Sequence, residues 1–399
     1  MPVRGYSAIN RAARKSSVES SAVNSTAPYP FHSSSLLDAF GNQEEIFAAP
    51  FSILEEAIAE RAFPAASIAV THKSRVAALK TLGRFTYEPT THPLTPATLF
   101  DLASLTKVVA TTSMAMLLYE HGLLDLDAPV AAIVPEFILD AEKDPRRNEV
   151  SLRMLLAHSS GLPAYEKLFL KVSTRDELLR AALSMPLAAG PGTRVDYSDI
   201  GFIILGIALE RLAGESLDRF CQSEIFGPLG MSNTTFNPPI ENRKQIPPTA
   251  DDRTFRRRII QGEVQDENAS VLGGVAPHAG LFSSARDLAQ FAHAMLNPGR
   301  PVFRTETIAV FTRRQSAPEG TTRGLGWDTP SASSQSGKYF SANSYGHLGY
   351  TGTSLWIDPE RHISITLLTN RTWPDCSNHA IKQIRPRFHD AVIEALNAG

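Results

Sequence analysis

Strand-like runs at opposite ends of the chain constrain its fold more than any other feature. Ala65-Ala66-Ser67-Ile68-Ala69-Val70-Thr71-His72 and residues 76–85 read as two strands joined by the turn Lys73-Ser74-Arg75. Far downstream, residues 353–358 and 362–369 read as a second hairpin that turns at Pro359-Glu360-Arg361. Most of the chain between them carries helical periodicity. Helices are predicted over residues 52–61, with Ser52 as N-cap, and over 104–121, Arg175–Leu183, Asp199–Ala213, 217–225, Ala285–Leu296 and 379–398. A hairpin near each end and helices in between predict one sheet built from both ends. The expected fold class is α+β: an antiparallel sheet of N- and C-terminal segments flanked by helices, with a mostly helical inserted domain. The expected division is 46–98 with 273–399 for the sheet domain and 99–272 for the helical one, with the site where they meet. Residues 1–45, rich in Ser, Ala and Asn at the start, are expected to be a disordered tail. The polar, Pro-rich stretch 237–258 reads as a surface excursion, and its Arg256-Arg257-Arg258 run as a solvated face.

At 399 residues with 43% hydrophobic and 20% charged side chains, the chain has ample material for a core. Its formal net charge of −2 excludes nucleic acid or an anionic membrane as a partner recognised by charge alone. Cys221 and Cys376 form neither a disulfide framework nor a metal-ligand spacing. No window approaches the roughly 18 apolar residues of a membrane span, and the N-terminus has no apolar signal-peptide core. The default expectation is a cytoplasmic protein with a small-molecule partner and no metal or other cofactor; export through an upstream start stays open.

The stretch Leu99-Phe100-Asp101-Leu102-Ala103-Ser104-Leu105-Thr106-Lys107 opens a long apolar run without Gly or Pro up to Gly122. Three residues separate Ser104 from Lys107, which places a hydroxyl and an amine on one helix face. Ser104 falls in the first turn, where free N–H groups and the dipole favour negative charge. A serine becomes a nucleophile once a base takes its proton, and a lysine kept neutral by burial is such a base. A two-position motif also arises by chance, so the assignment depends on partners elsewhere.

Two further stretches supply them. Tyr197-Ser198-Asp199 stands at a loop-to-helix junction after Pro191-Gly192-Thr193, where a phenol can reach a neighbouring site or pack beneath its own helix. Beside a lysine ammonium the phenol's pKa is expected to fall, which suits a proton carrier. Gly346-His347-Leu348-Gly349-Tyr350-Thr351-Gly352 enters a strand with three glycines, as a backbone does when something approaches closely, and its N–H groups can bind an oxyanion.

Together the three stretches resemble the serine β-lactamase and penicillin-binding-protein superfamily, in which Ser-x-x-Lys combines with a Tyr-x-Asn element and Lys-Thr-Gly. The nearest branch looks like class C β-lactamase-type proteins, which include DD-carboxypeptidases and family VIII carboxylesterases. Leu155–Pro163, Phe226–Met231, Asp266–Ala269, His278–Ser283 and Gly324–Trp327 extend the resemblance from about residue 50 to the end. It implies Ser104 as the acylated nucleophile, Lys107 and Tyr197 as its proton partners, and the backbone N–H groups of Ser104 and Tyr350 as the oxyanion hole. It also implies Asp199, His347 and Gly349 as substrate-binding positions, and no metal. His347-Leu348-Gly349 replaces a permanent cation by a group expected to titrate near neutrality, and Asp199 replaces an amide by an acceptor-only carboxylate. Both changes disfavour a carboxylate-bearing substrate and favour a short-chain neutral ester. A carboxylesterase is therefore expected, with a DD-carboxypeptidase or β-lactamase as the alternative. His158 is read as part of a structural turn beside the site, and Asp266-Glu267-Asn268 as lacking metal-ligand partners.

Overall fold

The computed structural model describes residues 36–38, 41–139, 144–298 and 302–398. Its strands are β1 (Leu37–Asp38), β2 (Ala65–His72), β3 (Arg75–Gly83), β4 (Phe100–Asp101), β5 (Thr235–Phe236), β6 (Pro248–Asp252), β7 (Arg258–Gln261), β8 (Leu281–Ser283), β9 (Tyr345–Leu348), β10 (Ser354–Asp358) and β11 (Ile363–Thr369). The main sheet runs β1-β3-β2-β11-β10-β9, so N- and C-terminal strands meet where β2 pairs antiparallel with β11, Val70 opposite Ile365. Its pairings are antiparallel apart from β1 with β3. The expected sheet, shared by both ends of the chain, is the one that forms.

Strand alternation distributes the core over the two faces of that sheet. Ala66, Ile68 and Val70 of β2 point into a cluster with Phe51 and Leu54 of the helix Ala48–Ala59 and Phe388 and Val392 of the helix Ile381–Ala398. Ala65 and Ala69 point the other way, into a cluster that runs through Leu288 and Phe291 of the helix Ala285–Leu296 into Val108, Val109 and Met114 behind Ser104. The Ser104 segment is thereby packed against the opposite face from the two terminal helices.

The helices Arg175–Leu183, Asp199–Ala213 and Ala285–Leu296 have their expected bounds. Thr174 and Glu177 form a reciprocal capping box on the first, and Ser198 caps the second by accepting the Gly201 N–H at 2.9 Å. Other expectations are corrected. The first helix spans Ala48–Ala59, so Ser52 lies inside it and donates to Glu56 instead of capping. The predicted helix 104–121 is a 3-10 turn (Ala103–Leu105), a π segment (Lys107–Thr112) and an α-helix (Ser113–Glu120). The predicted helix 217–225 likewise changes from α to π at Gln222. Within the expected disordered tail, Leu37–Asp38 pair with β3 and Gln43–Ile46 form a helical turn; residues 1–35 lie outside the described part. Inside the expected surface excursion, β6 and β7 pair as a hairpin. There Arg256, the first residue of the run read as solvated, is buried against Asp252 at 2.9 Å and donates to the Val264 and Gln265 carbonyls, while Arg257 and Arg258 are exposed as expected. No helix among the described residues is long and apolar enough to cross a membrane.

Candidate active site

Two glycines let the site's walls approach. A Cβ on Gly206 would lie 2.0 Å from the Pro277 ring, so the helix Asp199–Ala213 reaches the segment before His278 only because position 206 has no side chain. A Cβ on Gly349 would lie 1.9 Å from the Thr353 hydroxyl and 2.4 Å from the Leu102 carbonyl. The turn after β9 therefore rests directly on the backbone that presents Ser104. Thr351 and Thr353 donate to the Asp101 and Leu102 carbonyls at 2.7 and 2.9 Å and fix that contact.

Ser104, Lys107, Tyr197 and Asp199 converge in a cavity of about 790 Å³ that His347, Gly349 and Tyr350 also line, except that Lys107 is the buried floor rather than the lining. Its Nζ lies 2.9 Å from the Ser104 hydroxyl, 3.0 Å from the His278 carbonyl and 2.7 Å from Asp199 Oδ1. Burial pulls the ammonium's pKa down, but the Asp199 carboxylate and the Tyr197 phenol outweigh it and hold the net value above the ordinary lysine range. The expectation of a lysine kept neutral by burial is thus corrected: at neutral pH Lys107 is an ammonium in an ion pair. The Tyr197 phenol bonds to both Lys107 and Ser104, and its ring faces the Lys107 ammonium at 4.8 Å and the Arg323 guanidinium at 5.3 Å. Burial raises its pKa, Lys107 lowers it, Asp199 raises it again, and the net shift is upward. That reverses the expected fall, because burial of the phenol outweighs the adjacent ammonium and the Asp199 carboxylate adds to it.

His347 is corrected in the same direction. Burial first, then the Lys107 and Arg323 charges, hold its imidazole pKa well below the usual range, so it is neutral where it was expected to titrate. Its Nδ1 meets the Leu348 carbonyl at 2.8 Å, which fixes the proton there and leaves Nε2 a buried acceptor with no partner among the described residues. His158 stacks between Tyr197 and Phe202 at 4.6 and 5.0 Å, and its Nδ1 accepts the Ser198 N–H at 2.9 Å. It buttresses the tyrosine's junction. Asp199 is 17% exposed at its side chain and engaged by Lys107, so its first partner is the lysine and not a ligand.

Several residues of the site had no role assigned from the sequence, although Asp266 and His278 lie in stretches that carry the resemblance and only Arg371 and Arg385 lacked any signal. Asp266 accepts from His278 Nε2 at 3.0 Å, and the His278 carbonyl takes the Lys107 ammonium, so this pair braces the lysine from behind. Arg371 and Arg385 lie under the turn after β9. Arg371 donates to the Tyr350 carbonyl at 2.7 Å, and Arg385 to the Gly349 and Thr353 carbonyls at 2.9 Å each. Both line the cavity, and among the described residues neither has a carboxylate partner. Burial and the neighbouring Arg371 charge push Arg385 down to about 9. Glu267 also lines the cavity, on the Ala103 side, with its pKa raised by burial and by Asp266.

A serine, a lysine and a tyrosine within one hydrogen-bonded group, in a cavity of small-molecule size, define the class of a nucleophilic serine hydrolase. Comparison with known proteins gives the family. Residues 51–385 match the family model described as Beta-lactamase, and the chain belongs to that family. A "Putative D-alanyl-D-alanine carboxypeptidase" of Escherichia coli strain K12 is 35% identical over 306 residues, covering 69% of this chain and 70% of the relative. In structure, EstCE1, "a hydrolase with promiscuous acyltransferase activity", superposes with a TM-score of 0.70 at 21% identity, over 88% of this chain and 99% of its own. A class C β-lactamase from Rhodobacter sphaeroides gives 0.67 at 23% identity, over 87% and 99%. The chain is a serine hydrolase of the β-lactamase and penicillin-binding-protein type.

Proposed function

We propose that this hydrolase forms an acyl-enzyme on Ser104 and acts on small esters or amides that carry a carboxylate near the scissile bond, in the manner the name D-alanyl-D-alanine carboxypeptidase describes. The observation that carries the substrate class is the pair of guanidiniums, Arg371 and Arg385, buried against the turn at Gly349–Tyr350 without a carboxylate to neutralise them. A positive potential in a low-dielectric wall draws a substrate anion towards that turn. This replaces the argument from positions 347 and 199, where the missing lysine and the missing amide favoured a neutral ester. Positive charge is supplied by other residues.

In the proposed mechanism Ser104 Oγ attacks the carbonyl carbon. The group Ser104–Tyr197–Lys107–Asp199 has one vacancy for a proton at neutral pH, on the Asp199 carboxylate. Lys107 takes the serine proton directly or through the Tyr197 hydroxyl while giving one of its own to Asp199, so the ammonium is regenerated. The titrations belong to the group as a whole. Backbone N–H groups of Ser104 and Tyr350 receive the oxyanion, each worth about 3 kcal/mol of barrier. The proton then returns through Tyr197 to the leaving oxygen or nitrogen, and water hydrolyses the ester on Ser104 in a second turn of the same steps.

A specific observation also supports turnover of short neutral esters: Tyr165, Phe169, Leu348 and Ile381 give the cavity apolar lining, and the neutral His347 leaves no fixed charge at its own position. The test is turnover of p-nitrophenyl butyrate and of a peptide ending in D-Ala-D-Ala by wild type and Ser104→Ala, with intact-protein mass measured after quenching. Release of D-Ala and an adduct on wild type alone support the proposal. Ester turnover without D-Ala release supports the neutral-ester reading, and undiminished activity in Ser104→Ala overturns both.

A further inference from the structure

Asp101 is buried three residues before Ser104 and has no role in the proton path. Its two carboxylate oxygens serve two different segments. Oδ1 accepts the Ala103 N–H at 2.8 Å, and Oδ2 accepts the Gln265 N–H at 2.6 Å. Ala103 sits at φ +48, a left-handed conformation that costs an alanine about 1 kcal/mol. A side-chain oxygen two residues back is the device that holds such a turn closed. Gln265 leads into Asp266, which grips His278, whose carbonyl holds the Lys107 ammonium. The Asp101 carbonyl accepts from Thr351, next to Tyr350. One residue thus ties the nucleophile's turn to the brace behind the lysine and to the turn that carries the second oxyanion donor.

We propose that Asp101 is a positioning residue of the reaction, whose carboxylate form holds the Ala103–Ser104 turn, and with it the Ser104 N–H and hydroxyl, in the geometry acyl transfer requires. The inference rests on Ser104 being the nucleophile. Two N–H donors point at this carboxyl, so both oxygens must accept. A proton on either oxygen removes its negative charge and occupies one of its lone pairs, so one of the two contacts is weakened. The Ser104 N–H is needed most when charge develops on the oxyanion, so the loss falls on kcat and spares KM.

The carboxyl is placed to switch in an accessible range. Burial raises its pKa to about 6, against the two N–H bonds that lower it; Asp266 raises it further and Arg256 lowers it. Of the other elements packed against it, β8 faces it through Phe282 and the turn after β9 through Thr351, with the Arg371 guanidinium beneath that turn and His278 beyond Asp266 as the further charged or titratable groups. His347 and His158, the imidazoles beside Tyr197, are held neutral and add no protonation of their own near pH 6.

The experiment is the pH profile of kcat and KM with p-nitrophenyl butyrate for wild type, Asp101→Asn, Ala103→Gly and the double variant. Wild type is expected to lose kcat below about pH 6 with KM steady. Asp101→Asn lowers kcat about 10- to 100-fold at neutral pH, keeps KM within about threefold and abolishes the acid limb. Glycine adopts positive φ without strain, so Ala103→Gly in the Asp101→Asn background restores about threefold or more of kcat. An Asp101→Asn enzyme with wild-type kcat and an unchanged acid limb overturns the proposal. If Asp101→Asn does not fold, Ala103→Gly alone decides: its acid limb is shallower than wild type on this proposal, and an identical limb contradicts it. An active Ser104→Ala enzyme would instead remove the underlying reading of the nucleophile, so the two failures are told apart.

Discussion

The two sides of the cavity treat buried charge in opposite ways. Beside Ser104 the buried Lys107 ammonium has a counter-charge, Asp199 at 2.7 Å, and Asp266 is hydrogen-bonded to His278 at 3.0 Å. Under the turn after β9, Arg371 and Arg385 are buried with carbonyl oxygens as partners and no carboxylate. Paired charge fixes where protons reside, which is what bond-making needs. Unpaired charge leaves a field reaching into the cavity, which is what recognition of an anion needs. On the proposed function, the chemistry and the substrate preference of this hydrolase are carried by separate walls.

That separation can be broken from either side. Ser104→Ala is expected to have the largest effect, a loss of about 10³-fold or more in kcat with every substrate and no adduct by mass spectrometry. Asp199→Asn comes next. It leaves the Lys107 ammonium buried beside an amide, which costs about 3–5 kcal/mol of folding stability by the measure of broken buried pairs, read as a lower urea midpoint, and about 10²-fold in kcat. Arg371→Gln acts on the other wall. It raises KM about tenfold for a carboxylate-bearing peptide and changes KM for p-nitrophenyl butyrate by less than about twofold, whereas Arg371→Lys, which keeps the charge, stays near wild type on both.

The smallest expected effect is on stability against pH. His158, His347 and His389 have folded-state pKa values below the unfolded value near 6.5, His389 at about 3, because burial penalises the imidazolium. Between those values the unfolded chain binds more protons, so stability falls as pH drops below about 6.5, by up to about 1.4 kcal/mol per histidine per unit. Asp101 works the other way. Its folded pKa is raised to about 6, so the native state binds the extra proton and stability gains as pH falls towards 4. Glu267, Asp287 and Asp328 are raised by burial as Asp101 is, so the histidine contribution is read by difference: His389→Gln is expected to lose less Tm than wild type between pH 7 and 5.

Much of the site was legible because its parts are local. Ser104 and Lys107 are joined by helical spacing, and Tyr197 and Asp199 by a capped helix start, so short windows reveal them. The shared sheet was legible from alternation in β2, β3, β10 and β11. What the sequence hid is long-range electrostatics. Nothing local to Arg371 or Arg385 announces the turn at Gly349–Tyr350, and the substrate argument drawn from His347 therefore lacked two cations. The protonation of Lys107 and Tyr197 was misjudged for a related reason: the Asp199 carboxylate raises the first and burial the second, and both are tertiary facts. Asp252 folds Arg256 inward in the same way, while Arg257 and Arg258 keep the solvated character expected of the run.

The most direct test of the two-wall account is the ratio of kcat/KM for a depsipeptide with a free C-terminal carboxylate to that for its methyl-ester counterpart, in wild type and Arg371→Gln. The account predicts a wild-type ratio of about ten or more that collapses towards one in the variant, with kcat on the methyl ester unchanged. A wild-type ratio at or below one, or a high ratio that survives Arg371→Gln, would contradict it.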